Sequence, residues 1–298
     1  MNDRLAGLDI SLLKAWLPQP VKDVVEAGMR SGAALTAPLR PVPDFYIVGT
    51  KRGGTTALWQ LLLAHPQVMP MVPAAKNLKS TDWFFRPRGR GRGWYLGHFP
   101  TAAARQRHAR LHGRAITGEA SPMYLFDPRV PARVAATAPR ARIIVLLRDP
   151  VDRAWSHYRE RVLNGTESLT FDEAIAAEDG RLAGEWERML AEPGYYSRAV
   201  DWYSYRSRGV YLPQLQRWWQ HFGHDQVLVL RSEDFYADPE STLVVVHRHL
   251  GIDPCPRVTP VDRNCAPAPA TPKAMPSREI RERLREFYAA DQAAISQF

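Results

Sequence analysis

Cysteine is nearly absent from this sequence, which contains only Cys255 and Cys265 among its 298 residues. Two cysteines cannot build a disulfide framework, and no Cys or His spacing in the chain matches a zinc site. This scarcity is typical of proteins from a reducing compartment. Long apolar runs are lacking as well, because Asp9 and Lys14 interrupt the stretch from residue 8 to residue 17. The sequence therefore predicts a cytoplasmic protein without a signal peptide or a transmembrane segment.

Acidic residues are outnumbered by basic ones, 31 against 40, and the formal net charge is +9. Such an excess indicates an anionic partner: nucleic acid, an acidic lipid surface, or a phosphorylated or sulfated small molecule. The excess is concentrated between residues 86 and 118, where eight arginines occur without an acidic residue or a lysine. Removing those eight charges from +9 leaves +1, so the remainder of the chain is nearly neutral. With 45% hydrophobic and 24% charged residues, a disordered or fibrous protein is excluded.

Residues 1–43 are predicted to form a helical extension, and residues 44–298 the main domain. Two short helical patterns, over residues 10–17 and 21–29, are followed by three prolines between residues 38 and 43. Proline at this density ends helices. Because the apolar faces of these patterns are short, they favour a packed lid or an oligomer contact over a membrane anchor.

Three continuous apolar runs in the main domain predict buried parallel strands, each followed by a helical pattern. The runs cover residues 45–48, 143–147 and 227–230, and the helices cover residues 56–65, 151–163 and 239–250. Weaker strands are expected near residues 68–71 and 115–117, and a helical region rich in Trp and Tyr spans residues 171–219. Strands that alternate with helices are typical of an α/β fold with a parallel sheet.

A glycine-containing loop separates the first strand from the first helix, with the sequence Gly49-Thr50-Lys51-Arg52-Gly53-Gly54-Thr55-Thr56. Glycines let the backbone approach a ligand closely, and the amides at a helix N-terminus attract an anion. The glycine spacing matches the start of a nucleoside-triphosphate P-loop, but Thr55 stands where that motif requires lysine. The adjacent cations Lys51 and Arg52 would repel each other without an anion. The loop is therefore expected to bind an anionic ligand; the alternative is a tight strand–helix turn that needs no ligand. No metal site is predicted.

A second anion site is predicted where the strand over residues 143–147 ends, because Arg148 follows it directly. Strands of a parallel sheet end at one edge, so Arg148 is expected near the glycine-containing loop. There its guanidinium is able to hold a second phosphate through two hydrogen bonds, with Ser156 reaching the same phosphate from the next helix. The alternative is a salt bridge from Arg148 to Asp149 or Asp152 at the start of that helix.

Two anion sites suit a nucleotide with phosphates at both ends, and here the chain resembles the sulfotransferases that use 3′-phosphoadenosine 5′-phosphosulfate. The loop resembles their 5′-phosphosulfate loop, and residues 143–158 resemble their 3′-phosphate site. Further segments resemble the heparan sulfate sulfotransferase branch and its bacterial relatives: residues 91–95, 119–122, 209–218 and 231–239. The resemblance covers about residues 44–290 and implies a P-loop-like three-layer fold, with a central parallel sheet flanked by helices.

The resemblance also implies a set of donor-binding residues: Lys51, Arg52, Gly53, Gly54, Thr55, Thr56, Arg148, Ser156 and Tyr211. Tyr211 belongs to this set through the resemblance alone. Arg52 stands where the heparan sulfate branch usually has lysine. Because arginine keeps its charge but does not release a proton, its expected catalytic role is electrostatic.

The family's acceptor-activating glutamate, expected in a Lys-Glu-x-x-Phe-Phe-like segment, is missing. Counted from its lysine, the corresponding stretch from Lys79 to Phe85 puts Ser80 at the glutamate position. Asp82 and Glu119 are the candidates for the general base that removes the acceptor's proton. Each has a structural alternative, Asp82 as a helix or turn cap and Glu119 as part of an ion pair that organises the site.

These features predict transfer of a sulfuryl group, by in-line displacement, to a hydroxyl or less readily an amine of a small-molecule, glycan or lipid acceptor. The alternatives are a P-loop kinase or phosphotransferase, and a non-catalytic nucleotide-binding protein. The arginine-rich segment is expected beside the acceptor entrance, where it recruits an anionic acceptor or is simply solvated. Its Arg-Gly alternation over residues 86–92 is similar to flexible RNA-binding tracts. The adjacent Trp94 and Tyr95 favour an acceptor site over nucleic acid.

Overall fold

The computed structural model of the protein describes residues 35–74, 77–86, 89–255 and 275–296. Within these residues one sheet is formed by five strands: β1 (Phe45–Gly49), β2 (Val68–Met69), β3 (Ile116–Ala120), β4 (Arg142–Leu147) and β5 (Val227–Arg231). The helical patterns over residues 10–17 and 21–29 lie outside the described residues, as does Cys265.

Helices connect the strands and follow the last one. The first six are α1 (Thr55–Leu63), α2 (Arg92–Leu96), α3 (Ala102–His112), α4 (Val130–Thr137), α5 (Pro150–Leu163) and α6 (Phe171–Leu182). They are followed by α7 (Glu185–Ala191), α8 (Arg198–Tyr203), α9 (Leu212–Trp219), α10 (Ser232–Ala237), α11 (Pro239–Leu250) and α12 (Arg278–Ile295). The helical character predicted for residues 171–219 is confirmed.

The start of α1 differs from the starts of the longer helices. Side chains that accept a hydrogen bond from a first-turn amide begin α3, α5, α6, α11 and α12: Thr101, Asp149, Thr170, Asp238 and Ser277. At α1 the capping position is Gly54, at φ +91°, and no side chain caps the helix. The first amides of α1 are therefore able to bind an anion.

The described sheet is parallel throughout and has the strand order β2-β3-β1-β4-β5. The chain leaves β1 for β2 and β3 on one side, then crosses to β4 and β5 on the other. The strand order therefore reverses at β1, the point where open α/β sheets bind ligands outside the carboxyl ends of their strands. We call this side of the sheet the carboxyl edge and the opposite side the amino edge.

The predicted strands are confirmed in position, and two of them differ from expectation in length or burial. β3 extends to Ala120, so Glu119 lies inside the strand; a short polar strand of this kind carries little apolar signal. β5 was expected to be fully buried, but its three central residues are half-buried. Within the described sheet β5 is one of the two edge strands, and it pairs with β4 alone.

The packing of α5 against other helices determines where the residues after β4 lie. Val151 and Tyr158 of α5 are buried in a cluster with Phe171 of α6 and with Leu284 and Tyr288 of α12. Burying large apolar and aromatic side chains of this kind is the main source of stability in such a cluster. The cluster holds α5 in place, so that its N-terminal turns remain at the carboxyl edge.

The arginine-rich segment is divided between the two edges of the sheet. Arg86 lies at the carboxyl edge, 3.3 Å from the Asp201 carboxylate. In contrast, Arg105 of α3 donates to the Asp44 carboxylate at 2.6 Å and to the Ala115 carbonyl at 3.0 Å, directly before β1 and β3. The expectation that the whole segment borders one entrance is therefore wrong for α3. A chain that begins another parallel strand must first return to the amino edge.

Candidate functional site

The loop between β1 and α1 is held against the end of β4. The Thr50 amide donates to the Leu146 carbonyl at 2.8 Å, and the Gly53 amide donates to the Thr50 carbonyl at 2.9 Å. A Cβ at Gly53 would lie 2.6 Å from the Leu146 oxygen, too close for any side chain. Glycine therefore permits the tight turn that starts α1 next to the ends of β1 and β4.

Arg52 connects this loop to α5. Its backbone has φ +69°, a left-handed conformation that is uncommon for residues other than glycine. Its Nε donates to the Ser156 hydroxyl at 3.0 Å, and its carbonyl accepts from Nη1 of Arg148 at 3.1 Å. The two anion motifs are thus brought together, and we name Arg52, Arg148 and Ser156 the anion cluster.

Arg148 is positioned through its backbone by Tyr211. The Tyr211 side chain is buried, and its hydroxyl donates to the Arg148 carbonyl at 2.8 Å. Asp149 accepts from the Asp152 amide at 2.9 Å and begins α5, and within the described residues neither carboxylate forms the alternative salt bridge with Arg148. Tyr211, which the sequence predicts to line the nucleotide, supports the backbone at Arg148.

Lys51 is buried and paired with two carboxylates. Its side chain is 10% exposed, and Nζ lies 3.5 Å from Oε2 of Glu160 and 3.7 Å from Oδ1 of Asp201. Burial lowers the pKa of Lys51 to about 8, although the two carboxylates oppose that shift. The structure therefore joins Lys51 to two acids, and within the described residues no hydrogen bond or ion pair links it to Arg148 or Ser156.

Further cationic side chains surround Lys51. Arg153 and Arg208 are almost completely buried there, and so is His157. Burial, together with the charges of Lys51 and Arg208, holds the pKa of His157 well below its ordinary value. The imidazole is therefore neutral at pH 7. The buried cations next to the loop favour an anion bound by the loop.

Glu119 lies inside β3 and is completely buried. Its Oε1 accepts from the amide and the hydroxyl of Thr81, both at 2.7 Å, and from the Tyr124 hydroxyl at 2.9 Å. Its Oε2 accepts from the Tyr95 hydroxyl at 3.1 Å. Burial raises the pKa of Glu119, and the hydrogen bonds from Thr81 and Tyr124 oppose the shift. A carboxylate enclosed in this way holds the segment around Thr81 in place and is shielded from a substrate.

Asp82 lies beside Glu119 but is half-buried, and the Ser80 hydroxyl is within hydrogen-bond distance of both carboxylates. Oδ1 of Asp82 accepts from the hydroxyls of Ser80 at 2.7 Å and Ser121 at 2.6 Å. Its Oδ2 accepts no hydrogen bond from the part of the chain that the structure describes. Ser80 thus orients the carboxylate of Asp82. We name Ser80, Asp82, Glu119 and Ser121 the acid cluster.

Lys79 lies between the two clusters and is not among the site residues that the motifs predict. Its Nζ donates to the hydroxyls of Thr55 at 3.1 Å and Thr56 at 2.8 Å, the first two residues of α1. Burial lowers the pKa of Lys79 to about 8; Asp82 raises it and Arg52 lowers it further. The sequence contains one signal that could have drawn attention to Lys79: lysine is rare in this chain, where it supplies only six of the 40 basic residues.

An aromatic surface follows the acid cluster along the chain. Trp83 stacks on Tyr95 with 4.7 Å between ring centroids, and its Nε1 donates to the Arg90 carbonyl at 2.7 Å. The Arg90 guanidinium lies 4.3 Å from the centroid of Trp94. Trp83, Arg90 and Trp94 are half-buried. Rings and a cation arranged in this way form a surface suited to a large acceptor with polar groups.

The chemistry available at the carboxyl edge combines anion binding with proton removal. Arginine, lysine and the amides at a helix N-terminus bind phosphate and sulfate groups. The half-buried carboxylate of Asp82 is able to accept a proton. No trio of His, Cys, Asp or Glu side chains in the described ranges is arranged to hold a metal ion. Similarly, no helix in those ranges has the length and apolar character that a membrane crossing requires.

Relatives of this chain are found among known proteins and solved structures. A sulfotransferase from Alicyclobacillus acidocaldarius is 30% identical, with a TM-score of 0.60 over 85% of this chain and 93% of that one. The bifunctional heparan sulfate N-deacetylase/N-sulfotransferase 2 of Bos taurus is 29% identical over 222 residues, which cover 72% of this chain and 22% of the relative. The human heparan sulfate glucosamine 3-O-sulfotransferase 3B1 is 29% identical over 218 residues, 72% of this chain and 47% of the relative.

The chain spans less than half the length of these two curated relatives, so the likeness concerns one part of each. That part corresponds to the domain described above, and the solved sulfotransferase shares its fold over most of both chains. The model of the sulfotransferase domain family matches residues 42–266, which include the glycine-containing loop, both clusters and all five strands. The chain belongs to the sulfotransferase domain family.

Proposed function

We propose that this protein transfers the sulfuryl group of 3′-phosphoadenosine 5′-phosphosulfate to a hydroxyl of an acceptor. The observation that carries the proposal is the contact of two anion motifs at the N-terminus of α1, where Arg52 bonds to Ser156 and accepts from Arg148. The half-buried carboxylate of Asp82 and the guanidinium of Arg52 both lie near Lys79. Membership of the sulfotransferase domain family supports the same reaction.

The donor fits the anion cluster through its two ends. The uncapped amides at the start of α1 and the guanidinium of Arg52 bind the 5′-phosphosulfate. Arg148 and Ser156, both half-buried, hold the 3′-phosphate and so fix the position of the donor. Lys51 contributes its charge without a direct contact, because its Nζ is engaged with Glu160 and Asp201.

The transfer is an in-line displacement at sulfur. The acceptor oxygen forms a bond to sulfur while the bond from sulfur to the bridging oxygen breaks. The electron pair of that bond leaves with the bridging oxygen, on adenosine 3′,5′-bisphosphate. Arg52 stabilises the negative charge that develops there without giving up a proton. The acceptor's proton passes to a carboxylate within hydrogen-bond reach.

Asp82 is the carboxylate that we assign as the general base. Its Oδ1 is oriented by Ser80 and Ser121, while Oδ2 accepts no hydrogen bond from the described residues. Glu119 is less suited to this role because it is completely buried and its oxygens already accept from Thr81, Tyr124 and Tyr95. Glu119 instead positions the segment that carries Asp82.

The acceptor that we propose is a glycan or a small molecule with anionic groups. The aromatic surface of Trp83 and Trp94, with Arg90, adjoins Asp82 and is suited to contact it. The names of the relatives include both N- and O-sulfotransferases of heparan sulfate, so an amine acceptor belongs to the test as well. Because α3 lies at the amino edge and Arg86 is paired with Asp201, we assign recruitment to Arg90 and Arg92.

Ligand-dependent melting separates the proposed donor from the alternatives. Adenosine 3′,5′-bisphosphate without magnesium is expected to raise the melting temperature, and the variant Arg148→Ala/Ser156→Ala to lose that shift. The control variant Arg107→Ala/Arg110→Ala, at the amino edge, is expected to keep the shift in melting temperature. Stabilisation by ATP with magnesium alone would instead support a kinase, and nucleotide binding by the double variant as tight as by the wild type would contradict the anion cluster.

Turnover is tested with sulfur-labelled donor and two acceptor sources, an N-desulfated heparan oligosaccharide and a metabolite extract, with products identified by mass spectrometry. Label in a product that is absent with Asp82→Asn supports transfer. Tight nucleotide binding with no labelled product from either source would support a non-catalytic nucleotide-binding protein. The extension over residues 1–43, the domain over residues 44–298 and the cytoplasmic location stay predictions, and limited proteolysis and cell fractionation test them.

A further inference from the structure

Lys79 occupies a position that is electrostatically unfavourable for a cation. Its Nζ donates to the hydroxyls of Thr55 and Thr56, so it stands at the N-terminus of α1. The N-terminus of a helix carries partial positive charge, and cations are ordinarily found at the opposite end. No side chain caps α1, so nothing in the cap offsets that charge.

The groups around Lys79 add to the positive charge. Arg52 lies close enough to lower the pKa of Lys79, and Asp82 is the acid whose charge opposes this effect. One carboxylate thus faces a lysine, an arginine and a helix N-terminus. A ligand that balances this set must itself carry more than one negative charge, as a phosphosulfate does.

The backbone of Lys79 keeps the side chain at this place. Its carbonyl accepts from the Ala120 amide at 2.8 Å, directly after the buried Glu119. Glu119 in turn accepts from the Thr81 amide, two residues beyond Lys79. The segment that carries Lys79 is therefore fixed to the end of β3 at two points, and the ammonium reaches α1 from a rigid support.

We propose that Lys79 is a catalytic residue whose ammonium donates a hydrogen bond to the oxygen that bridges sulfur and phosphorus in the donor. The proposal rests on the proposed function. As the acceptor oxygen bonds to sulfur, the bond from sulfur to the bridging oxygen breaks and its electron pair remains on that oxygen. The acceptor's proton goes to Asp82. Lys79 shares its own proton with the departing oxygen, a role that Arg52 does not fill because a guanidinium does not deprotonate.

Two ligands that differ only at the 5′ position locate this contact. Adenosine 3′,5′-bisphosphate carries the departing oxygen, and adenosine 3′-monophosphate lacks the whole 5′-phosphate. In Lys79→Met, which keeps the length of the side chain without its charge, the affinity for the bisphosphate is expected to fall about 10-fold or more. The affinity for the monophosphate is expected to remain within about 2-fold of wild type. Arg110→Met, at the amino edge, is the control and changes neither affinity.

Turnover of the labelled donor gives a second readout. Lys79→Met is expected to lower kcat by about 100-fold or more, as loss of one preorganised donor does in other enzymes. In wild type, kcat/KM for the donor is expected to fall as the pH rises through about 8, where Lys79 loses its proton. The pKa of Lys51 is also about 8, so the arginine variant is compared in the Lys51→Met background. There Lys79→Arg keeps its charge over this range, and the alkaline limb of its pH–rate profile lies more than one pH unit above that of the Lys51→Met protein.

Each possible result decides the question. Equal loss of affinity for both nucleotides in Lys79→Met would show a merely structural role and overturn the proposal, as would kcat within about 3-fold of wild type. If Lys79→Met does not fold, an unmoved alkaline limb in Lys79→Arg overturns the proposal and a shifted limb supports it. If the wild-type protein itself binds neither nucleotide, the proposed function fails, and that outcome is visible before any variant is compared.

Discussion

The anion cluster and the acid cluster meet at the same edge of the sheet but are built in different ways. In the anion cluster every member is half-buried, and each keeps polar atoms available for a ligand. In the acid cluster, one carboxylate is closed off by the hydroxyls of Thr81, Tyr95 and Tyr124, and the other is left half-buried beside it. The accessibility of their oxygens therefore separates the roles of two neighbouring carboxylates: Glu119 anchors the segment, and Asp82 accepts the proton.

The largest effect is expected when the accessible carboxylate is neutralised. Asp82→Asn removes the base but preserves the shape of the side chain, and asparagine tolerates the positive φ of 54° at this position. We expect the rate of sulfuryl transfer to fall by about 10³-fold, within the range for loss of a general base. Steady-state kinetics checks the rate, and urea unfolding checks that the fold is retained. Activity close to wild type would show that a group other than Asp82 acts as the general base.

The enclosed carboxylate is expected to matter chiefly for stability. Glu119→Ala leaves the Thr81 amide and the Tyr95 and Tyr124 hydroxyls without their acceptor in a buried site. We expect the free energy of unfolding to fall by about 3 kcal/mol, since each stranded polar group costs about 1–3 kcal/mol. Urea denaturation measures the loss, with Asp82→Ala as the matched comparison. If both variants lose the same small amount of unfolding free energy, Glu119 does not anchor the fold more than Asp82 does.

A smaller effect is expected from the pH dependence of stability. The pKa of Lys51 is about 8 in the folded protein and near its ordinary 10.5 when unfolded. Between these values the unfolded chain binds more protons, so stability increases with pH, by on the order of 2 kcal/mol between pH 8 and 10. Lys79 contributes in the same direction.

The variant Lys51→Met separates the two lysines in this measurement. It is expected to keep only the part of the slope that Lys79 contributes, when the free energy of unfolding is measured by urea denaturation at each pH. The range ends at pH 10 because the pKa of Tyr211 is raised by burial, which opposes the trend at higher pH. A wild-type stability that decreases from pH 8 to pH 10 would show that Lys51 is not destabilised by its burial.

The smallest effect concerns the arginines that the structure places away from both clusters. Arg107 and Arg110 are exposed on α3, which bonds to the residues preceding β1 and β3. Replacing both by alanine is expected to change kcat/KM for the acceptor by less than about 2-fold, because exposed charges more than a Debye length away are screened. Arg90→Ala, beside Trp94, is expected to raise KM for an anionic acceptor. Equal effects of the two changes would contradict the division of the arginine-rich segment.

Local sequence patterns were sufficient for most of the fold and for the anion cluster. Continuous apolar runs predict β1 and β4 because a strand buried on both faces needs apolar side chains at every position. The glycine-containing loop has a conformation set by neighbouring residues, and Arg148 follows a strand that must end at the same edge. Short, polar elements such as β3 were predicted less well, because the burial of Glu119 depends on hydrogen bonds from Thr81 and Tyr95, which are distant in the chain.

By itself, the sequence determined the α/β class, the loop at the start of α1 and the pair of anion motifs, because each depends on residues within one turn or one strand. Only the tertiary structure decided that Lys51 turns inward, that Glu119 is enclosed while Asp82 stays accessible, and that Lys79 reaches α1. Burial and charge pairing depend on elements that are far apart in the chain, and a local pattern carries no information about which of them will meet.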